Sequence, residues 1–422
     1  MRVLIVSTSE KTGGAAVAAR RLMEALNNHG VKVKMLVRDK QTDALTVVGL
    51  RRSPLLRWHF LWERLVVFLH LHLQRKRLFE IDIANAGSDI TRLPEFQEAD
   101  IVHLHWVNQG MLSLGGIRKI LRSGKPVVWT MHDIWPATAL CHYTRGCNHF
   151  KTQCRECPLL PSKGRNDLSA KVWRRKQRML ADQTVSYVTC SRWLEGYAKQ
   201  SALLKGQKLT NIPNPIDTRV YHPINKVQAR EALGLPQQKR VILFVSQRVT
   251  DERKGVAFFV EAVSQLVASQ PAVREQAVIA ILGSHAEDVA EQLALPTYPL
   301  GYIDDEKTIV TVYNAADVFV TPSLEDNLPN TIMEAMACGV PSVGFKVGGI
   351  PEEIEHKKNG YVAQYRDAAD LAQGISWVLE ADQAELSAQC LRKVAHNYSQ
   401  SAVAMRYTEV YNEAIALKHY KL

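Results

Sequence analysis

The chain has 422 residues, 46% of them apolar and 23% charged, and its 53 Lys/Arg against 42 Asp/Glu leave a formal charge of +11. A chain this long and apolar buries a substantial core, which excludes overall disorder, and its length suits two large α/β domains as well as three smaller ones. The positive balance points to anionic surroundings (phosphates, nucleotides, nucleic acid or an acidic membrane face) without choosing among them.

The N-terminal MRVLIVST runs straight into Ser9-Glu10-Lys11 and Gly13-Gly14, without the long apolar stretch and cleavage tripeptide of a secretion signal. RVLIVST at 2–8 predicts a strand, 15–28 a helix and VKVKMLV at 31–37 a second strand. Such strand–loop–helix–strand units build parallel sheets covered by helices. No apolar run reaches the roughly 18 uninterrupted residues of a membrane span. The nearest, LLRWHFLWERLVVFLHLHL at 55–73, is interrupted by Arg57, Glu63 and Arg64 and followed by Arg75-Lys76-Arg77. It reads as an amphipathic helix, packed on the domain or lying on a membrane surface. Strands are predicted at 99–106, 125–133 and 184–191, the last being the final major strand of the first half, and the proline-rich 207–223 reads as a linker.

RVILFVSQR at 240–248 restarts the pattern, followed by a helix at 255–269, strands at 277–283, 316–323 and 340–345, and helices at 331–339, 367–380 and 383–396. The expected architecture is α/β, with two Rossmann-like parallel-sheet domains facing a central cleft. Domain one spans 1–213 with a Cys-rich insertion at 137–160, and domain two spans 214–400; a C-terminal helix within 401–422 crosses back to complete domain one.

Three loops carry the chemistry. Gly13-Gly14 sits between a strand and a helix, where backbone and helix-end N–H groups can approach an anion. The Gly-x-Gly-x-x-Gly fingerprint and the Walker loop are both absent. In the second half, Arg248 and Lys254 follow the first strand, and two fixed cations there would grip a diphosphate and neutralise it as a leaving group. In TPSLEDNLPNTIMEAMACGVP at 321–341, Pro322 and Pro329 fix a loop before a helix. Asp326 and Glu334 supply carboxylates for sugar hydroxyls and a ribose diol, the bland alternative being a capping acid and a surface acid. His132-Asp133 and His105-Trp106 end strands of the first half, where an imidazole can bond a sugar hydroxyl and an indole can stack on a sugar or close the core.

Taken together, the early Gly-Gly loop, His-Asp-Ile-Trp-Pro at 132–136, Asn-Pro-Ile-Asp at 214–217, Arg248…Arg253-Lys254-Gly255, Leu300-Gly301-Tyr302 and the 321–341 segment resemble the retaining glycosyltransferases of family 4, which have the two-domain GT-B fold. The similarity is greatest to their exopolysaccharide, colanic-acid-type branch. The resemblance implies that a sugar passes from a UDP- or GDP-sugar to a glycan or polyprenyl-linked hydroxyl with retention of configuration, without a catalytic cofactor. Gly14 would approach the donor phosphates and Arg248 and Lys254 would bind them. Tyr302 and Ile303 would meet the base, and Glu334 the ribose. Asn327, Leu328, Pro329, Asn330 and Thr331 would wrap the phosphates and the transferred sugar. The family's Glu-x7-Glu is here Asp326-x7-Glu334, with Glu325 as a substitute one residue earlier. The implied setting is the cytoplasm or the inner face of an anionic membrane.

Cys141, Cys147, Cys154 and Cys157 fall within 17 residues. Four thiolates suit a structural zinc ion, with an iron–sulfur cluster, disulfides or free thiols as the alternatives. A zinc-stapled nucleic-acid-binding protein is the rival reading. The positive charge fits it, but the charge is spread along the chain and no helix-turn-helix or stacking platform is evident.

Overall fold

The computed structural model describes residues 1–51 and 53–419. The chain divides into two compact units, one made of Met1–Pro215 with the tail from Val403, the other of Ile216–Ala402.

The first unit is a seven-stranded parallel sheet of β1 (Arg2–Ser9), β2 (Lys32–Asp39), β3 (Val47–Gly49), β4 (Ile101–Leu104), β5 (Val127–Met131), β6 (Ser186–Thr189) and β7 (Lys208–Asn211). Its order is β3-β2-β1-β4-β5-β6-β7, so the winding reverses between β1 and β4. Alternate residues of β1 feed opposite cores, Val3 and Ile5 on one face and Leu4 and Val6 on the other, as the two-residue period of a strand requires. The helix Gln400–His419 closes the first of these cores with Val403, Ala404, Tyr407 and Tyr411. It is pinned by Tyr411 Oη on His103 Nδ1 at 2.8 Å and Tyr407 Oη on Thr130 Oγ1 at 2.9 Å. Residues 420–422 of the helix expected in this tail lie outside the described residues.

The second unit holds β8 (Arg240–Arg248), β9 (Ala277–Ser284), β10 (Thr297–Gly301), β11 (Val318–Thr321), β12 (Ser342–Phe345) and β13 (Gly360–Ala363). The order β10-β9-β8-β11-β12-β13 again reverses direction, here between β8 and β11. The carboxyl ends of those two strands are therefore neighbours, the position at which open α/β sheets bind ligands.

One expectation is corrected. The stretch read as a linker, 207–223, contains β7, which pairs with β6 from Ser186↔Lys208 to Thr189↔Asn211, so 184–191 is not the last strand of the first unit. KLTN has one apolar residue, Leu209, and is half-buried along its length, so this edge strand carries no continuous apolar signature. The segment read as an amphipathic helix forms the helix Pro54–His70, with Glu63 and Arg64 facing inward and buried. Among the described residues, no helix is long and apolar enough to cross a membrane.

Candidate active site

In the second unit, β8 delivers the loop 249–255 and β11 delivers 322–329, and these loops are tied together. Leu324 N–H donates to the Arg253 carbonyl at 2.8 Å, and the Arg253 guanidinium donates to the Glu325 carbonyl at 3.1 Å. Lys254 Nζ donates to Asp326 Oδ2 at 2.6 Å. Gly255 has φ 71°, and a Cβ there would stand 1.9 Å from the Pro322 carbonyl oxygen, so only glycine lets the loops approach this closely. Burial raises the Asp326 pKa, but the adjacent Lys254 and Arg253 outweigh it and hold the carboxyl below its usual range. Arg248 is exposed and its Nε donates to Thr250 Oγ1 at 3.1 Å, so the two cations expected to act together have different surroundings.

Pro329 caps the helix Asn330–Ala337, and its fixed φ of −69° suits a helix entrance. Asn327, Leu328 and Pro329 are buried, whereas Asn330 and Thr331 are half-buried. Glu334, one turn into the helix, accepts a 2.8 Å hydrogen bond from Tyr313 Oη. Tyr302 is 58% exposed and Ile303 half-buried, just beyond the left-handed Gly301 that ends β10. The sequence reading missed Glu353. It is fully buried, neither carboxylate oxygen has a hydrogen-bond partner, and burial followed by the charge of Asp326 pushes its pKa well up.

In the first unit, the loop after β1 leads to Gly13-Gly14. Gly13 adopts φ 90° as the cap of Gly14–Asn28, leaving that helix entrance without a capping side chain. The ends of β4 and β5 bring the other candidates together in pairs: His105 Nδ1 lies 2.9 Å from His132 Nε2, and Trp106 Nε1 donates to Asp133 Oδ2 at 2.9 Å. Burial lowers both imidazoles, His132 to about 4 against an opposing pull from Asp133, so at neutral pH they are uncharged hydrogen-bonding groups. Beneath Asp133 lies a residue that the sequence did not single out. His142 bridges Asp133 Oδ2 at 2.7 Å and Asp82 Oδ2 at 2.6 Å. Burial disfavours the charged ring, but the two carboxylates prevail and push its pKa up to about 10, making it an imidazolium. Asp82 in turn binds Arg64, which also lies 3.6 Å from Glu63. Lys176, equally unforeseen, donates to the carbonyls of Trp135 and Thr138 at 2.6 and 2.9 Å, and burial pulls its pKa down to about 7.

Cys141, Cys147, Cys154 and Cys157 line one small pocket. Burial pushes the thiols of Cys141 and Cys154 up to about 12 and that of Cys157 to about 11, with smaller contributions from neighbouring cysteines. The donor set suits zinc, but among the described residues no group of three or more His, Cys, Asp or Glu side chains is arranged to hold a metal ion.

The model of "Glycosyltransferase Family 4" matches residues 12–220, and that of "Glycosyl transferases group 1" matches 239–381. A D-inositol 3-phosphate glycosyltransferase of Catenulispora acidiphila is 29% identical over 48% of this chain and 50% of its own length. One of Streptosporangium roseum is 26% identical over 76% of this chain and 71% of its own length. The chain spans about half the length of the first of the curated relatives it matches. Among solved structures, sucrose-phosphate synthase from Thermosynechococcus elongatus superposes with a TM-score of 0.67 at 21% identity, covering 99% of this chain and 100% of that one. Anabaena HepE in complex with UDP-glucose gives 0.64 at 16% identity over 98% and 100%.

Proposed function

The chain belongs to the family 4 glycosyltransferases and has their GT-B fold, and from that premise we propose that it transfers a hexose from a nucleoside-diphosphate sugar to an acceptor hydroxyl with retention of configuration. The second unit holds the donor and the first unit serves the acceptor side. The observation that carries this reading is the junction of β8 and β11, where Lys254, Arg253, Asp326 and the helix entrance at Asn330 converge at the sheet's switch point.

In the reaction, the C1–O bond to the diphosphate breaks as an acceptor oxygen bonds C1 on the same face, and the acceptor proton passes to the departing diphosphate oxygen. Arg248, Lys254 and the backbone N–H groups at Asn330 stabilise charge as it develops on that leaving group. Glu334, aligned by Tyr313, holds the ribose diol, and in the first unit the neutral imidazole of His132 is a hydrogen-bonding group for a sugar hydroxyl of donor or acceptor. UDP- and GDP-sugars are the leading donors, and the UDP-glucose bound by the structurally similar HepE favours the former. The acceptor class is a glycan or polyprenyl-linked glycan of exopolysaccharide or lipopolysaccharide assembly.

The test is a binding titration against UDP-, GDP-, ADP- and dTDP-sugars with wild type, Arg248→Ala and Lys254→Ala. One selective donor, weakened at least tenfold in both variants, is expected, since a charged hydrogen bond contributes about 1.5–3 kcal/mol. Equal binding by all three proteins, or no binding by any, overturns the assignment of this site.

A further inference from the structure

The helix Pro54–His70 is turned inside out. Its charged pair points into the protein: Glu63 accepts the backbone N–H groups of Ile83, Ala84 and Gly110 at 2.9, 2.6 and 3.1 Å. Arg64 donates to the Leu78 carbonyl at 2.5 Å and binds Asp82. The opposite face carries Leu55, Trp58, Trp62, Leu65 and Leu69, 45–63% exposed. Their spacing of three, four, three and four residues aligns them in one stripe. Among the described residues, eight of the sixteen exposed large apolar side chains fall between Leu55 and Phe79. So strong a concentration of apolar surface marks a contact face.

The charges around the stripe identify its occupant. Arg51 precedes the helix, Arg57 lies on it, and Arg75 and Lys76 follow; all four are exposed. The helix's only acid, Glu63, is buried. A stripe with tryptophans at its centre and cations at both ends matches a bilayer surface, where indoles sit at the headgroup level and cations meet lipid phosphates. A second copy of this chain fits less well, because a two-fold contact through the stripe would set the same cations against each other.

We propose that this face docks on an anionic phospholipid bilayer, with Pro54–His70 lying in the plane of the headgroups and Trp58 and Trp62 inserted. Docking is independent of the catalytic assignment and would stand if no sugar were transferred. If both hold, the enzyme works at the surface that carries lipid-linked acceptors.

Co-sedimentation with vesicles of phosphatidylcholine, with and without phosphatidylglycerol, tests this on the full chain. At low salt the wild type is expected to sediment with the anionic vesicles and to be released by added salt. Trp58→Ser combined with Trp62→Ser should weaken partitioning about tenfold or more, because much apolar surface leaves the interface. Arg75→Gln combined with Lys76→Gln should weaken it roughly 25-fold, about fivefold per cation. Met405→Ser, which removes another exposed apolar side chain, should change nothing. All substituted positions are exposed, and unchanged circular dichroism and melting temperature verify the fold. Three results overturn the proposal: a wild type that ignores anionic vesicles at low salt, sedimentation that survives loss of both tryptophans, or a dimer in solution that those substitutions dissociate.

Discussion

Lys254 Nζ lies 2.6 Å from Asp326 Oδ2, so the lysine expected to grip the donor diphosphate already holds a carboxylate 72 positions along the chain. Both side chains are largely buried, at 24% and 13% exposure. The pair therefore sets the loop geometry before any ligand arrives, and a diphosphate reaching Lys254 adds a second anion to a cation whose position is fixed. Because the folded pKa of Asp326 is depressed, its ionised form stabilises the protein at neutral pH, and that contribution is lost as the pH falls through the lowered value. Asp326→Asn should accordingly lower the melting temperature at neutral pH and differ little from wild type in strong acid. Lys254→Ala should be worse at neutral pH, by about 3 kcal/mol, since it strands a buried carboxylate. Thermal melts of both variants across pH check the order and the convergence.

Glu353 titrates in the opposite sense. Its folded pKa is raised, so above the ordinary carboxyl range the unfolded chain releases a proton that the folded chain retains, and stability falls as the pH rises. Glu353→Gln removes that titration while keeping the shape. The variant should melt higher than wild type at about pH 8, with the difference disappearing near about pH 4. A neutral-pH loss on substitution would show that the carboxylate has a charged partner in solution.

His142 holds two carboxylates apart, and one of them, Asp133, is the acceptor of the Trp106 indole N–H. His142→Leu leaves Asp82 and Asp133 without their shared cation and should cost about 3–5 kcal/mol in urea unfolding. Adding Asp82→Asn should recover part of that loss, and the resulting double-mutant cycle measures the coupling directly. Near-ultraviolet circular dichroism should change as well, because Trp106 loses its fixed acceptor.

These residues also mark what the sequence could and could not convey. Strands buried on both faces, such as β1, β5 and β8, are legible because a continuous apolar run has one physical reading. The edge strands β7 and β10 are not: one has Leu209 as its single apolar residue, and the other contains Pro299, which only an edge tolerates. Motif residues in the strand-end loops and the helix that follows are legible through the family resemblance, so Lys254, Asp326, His132 and Glu334 stand out. His142 does not, because its partner Asp82 is 60 positions away and nothing local announces the pair. Cysteine spacing indicates that four thiols converge on one pocket, whereas their separation depends on how the loop 141–157 packs. On the helix Pro54–His70, periodicity reveals a stripe but not which side of it faces water; only the long-range partners of Glu63 and Arg64 decide that.

Gly255 tests whether close approach, rather than backbone freedom alone, shapes the donor loop. It shares a left-handed φ with Gly146, 71° against 83°, yet their surroundings differ. A Cβ at Gly146 would meet nothing within 4 Å, whereas one at Gly255 would stand 1.9 Å from the Pro322 carbonyl oxygen. Gly146→Ala should therefore cost only the intrinsic penalty of the conformation, about 1–2 kcal/mol, and leave donor binding intact. Gly255→Ala carries the same penalty and must also push the loop 249–255 away from 322–329, separating Lys254 from Asp326. Donor affinity should fall at least tenfold, because a shift of about 1 Å in a positioned cation is enough to lose most of its interaction with a bound anion. Titration of both variants with the donor that wild type selects, alongside their melting temperatures, separates the two effects. Equal affinity in Gly255→Ala and Gly146→Ala would show that the contact with Pro322 is dispensable and that the loop tolerates displacement.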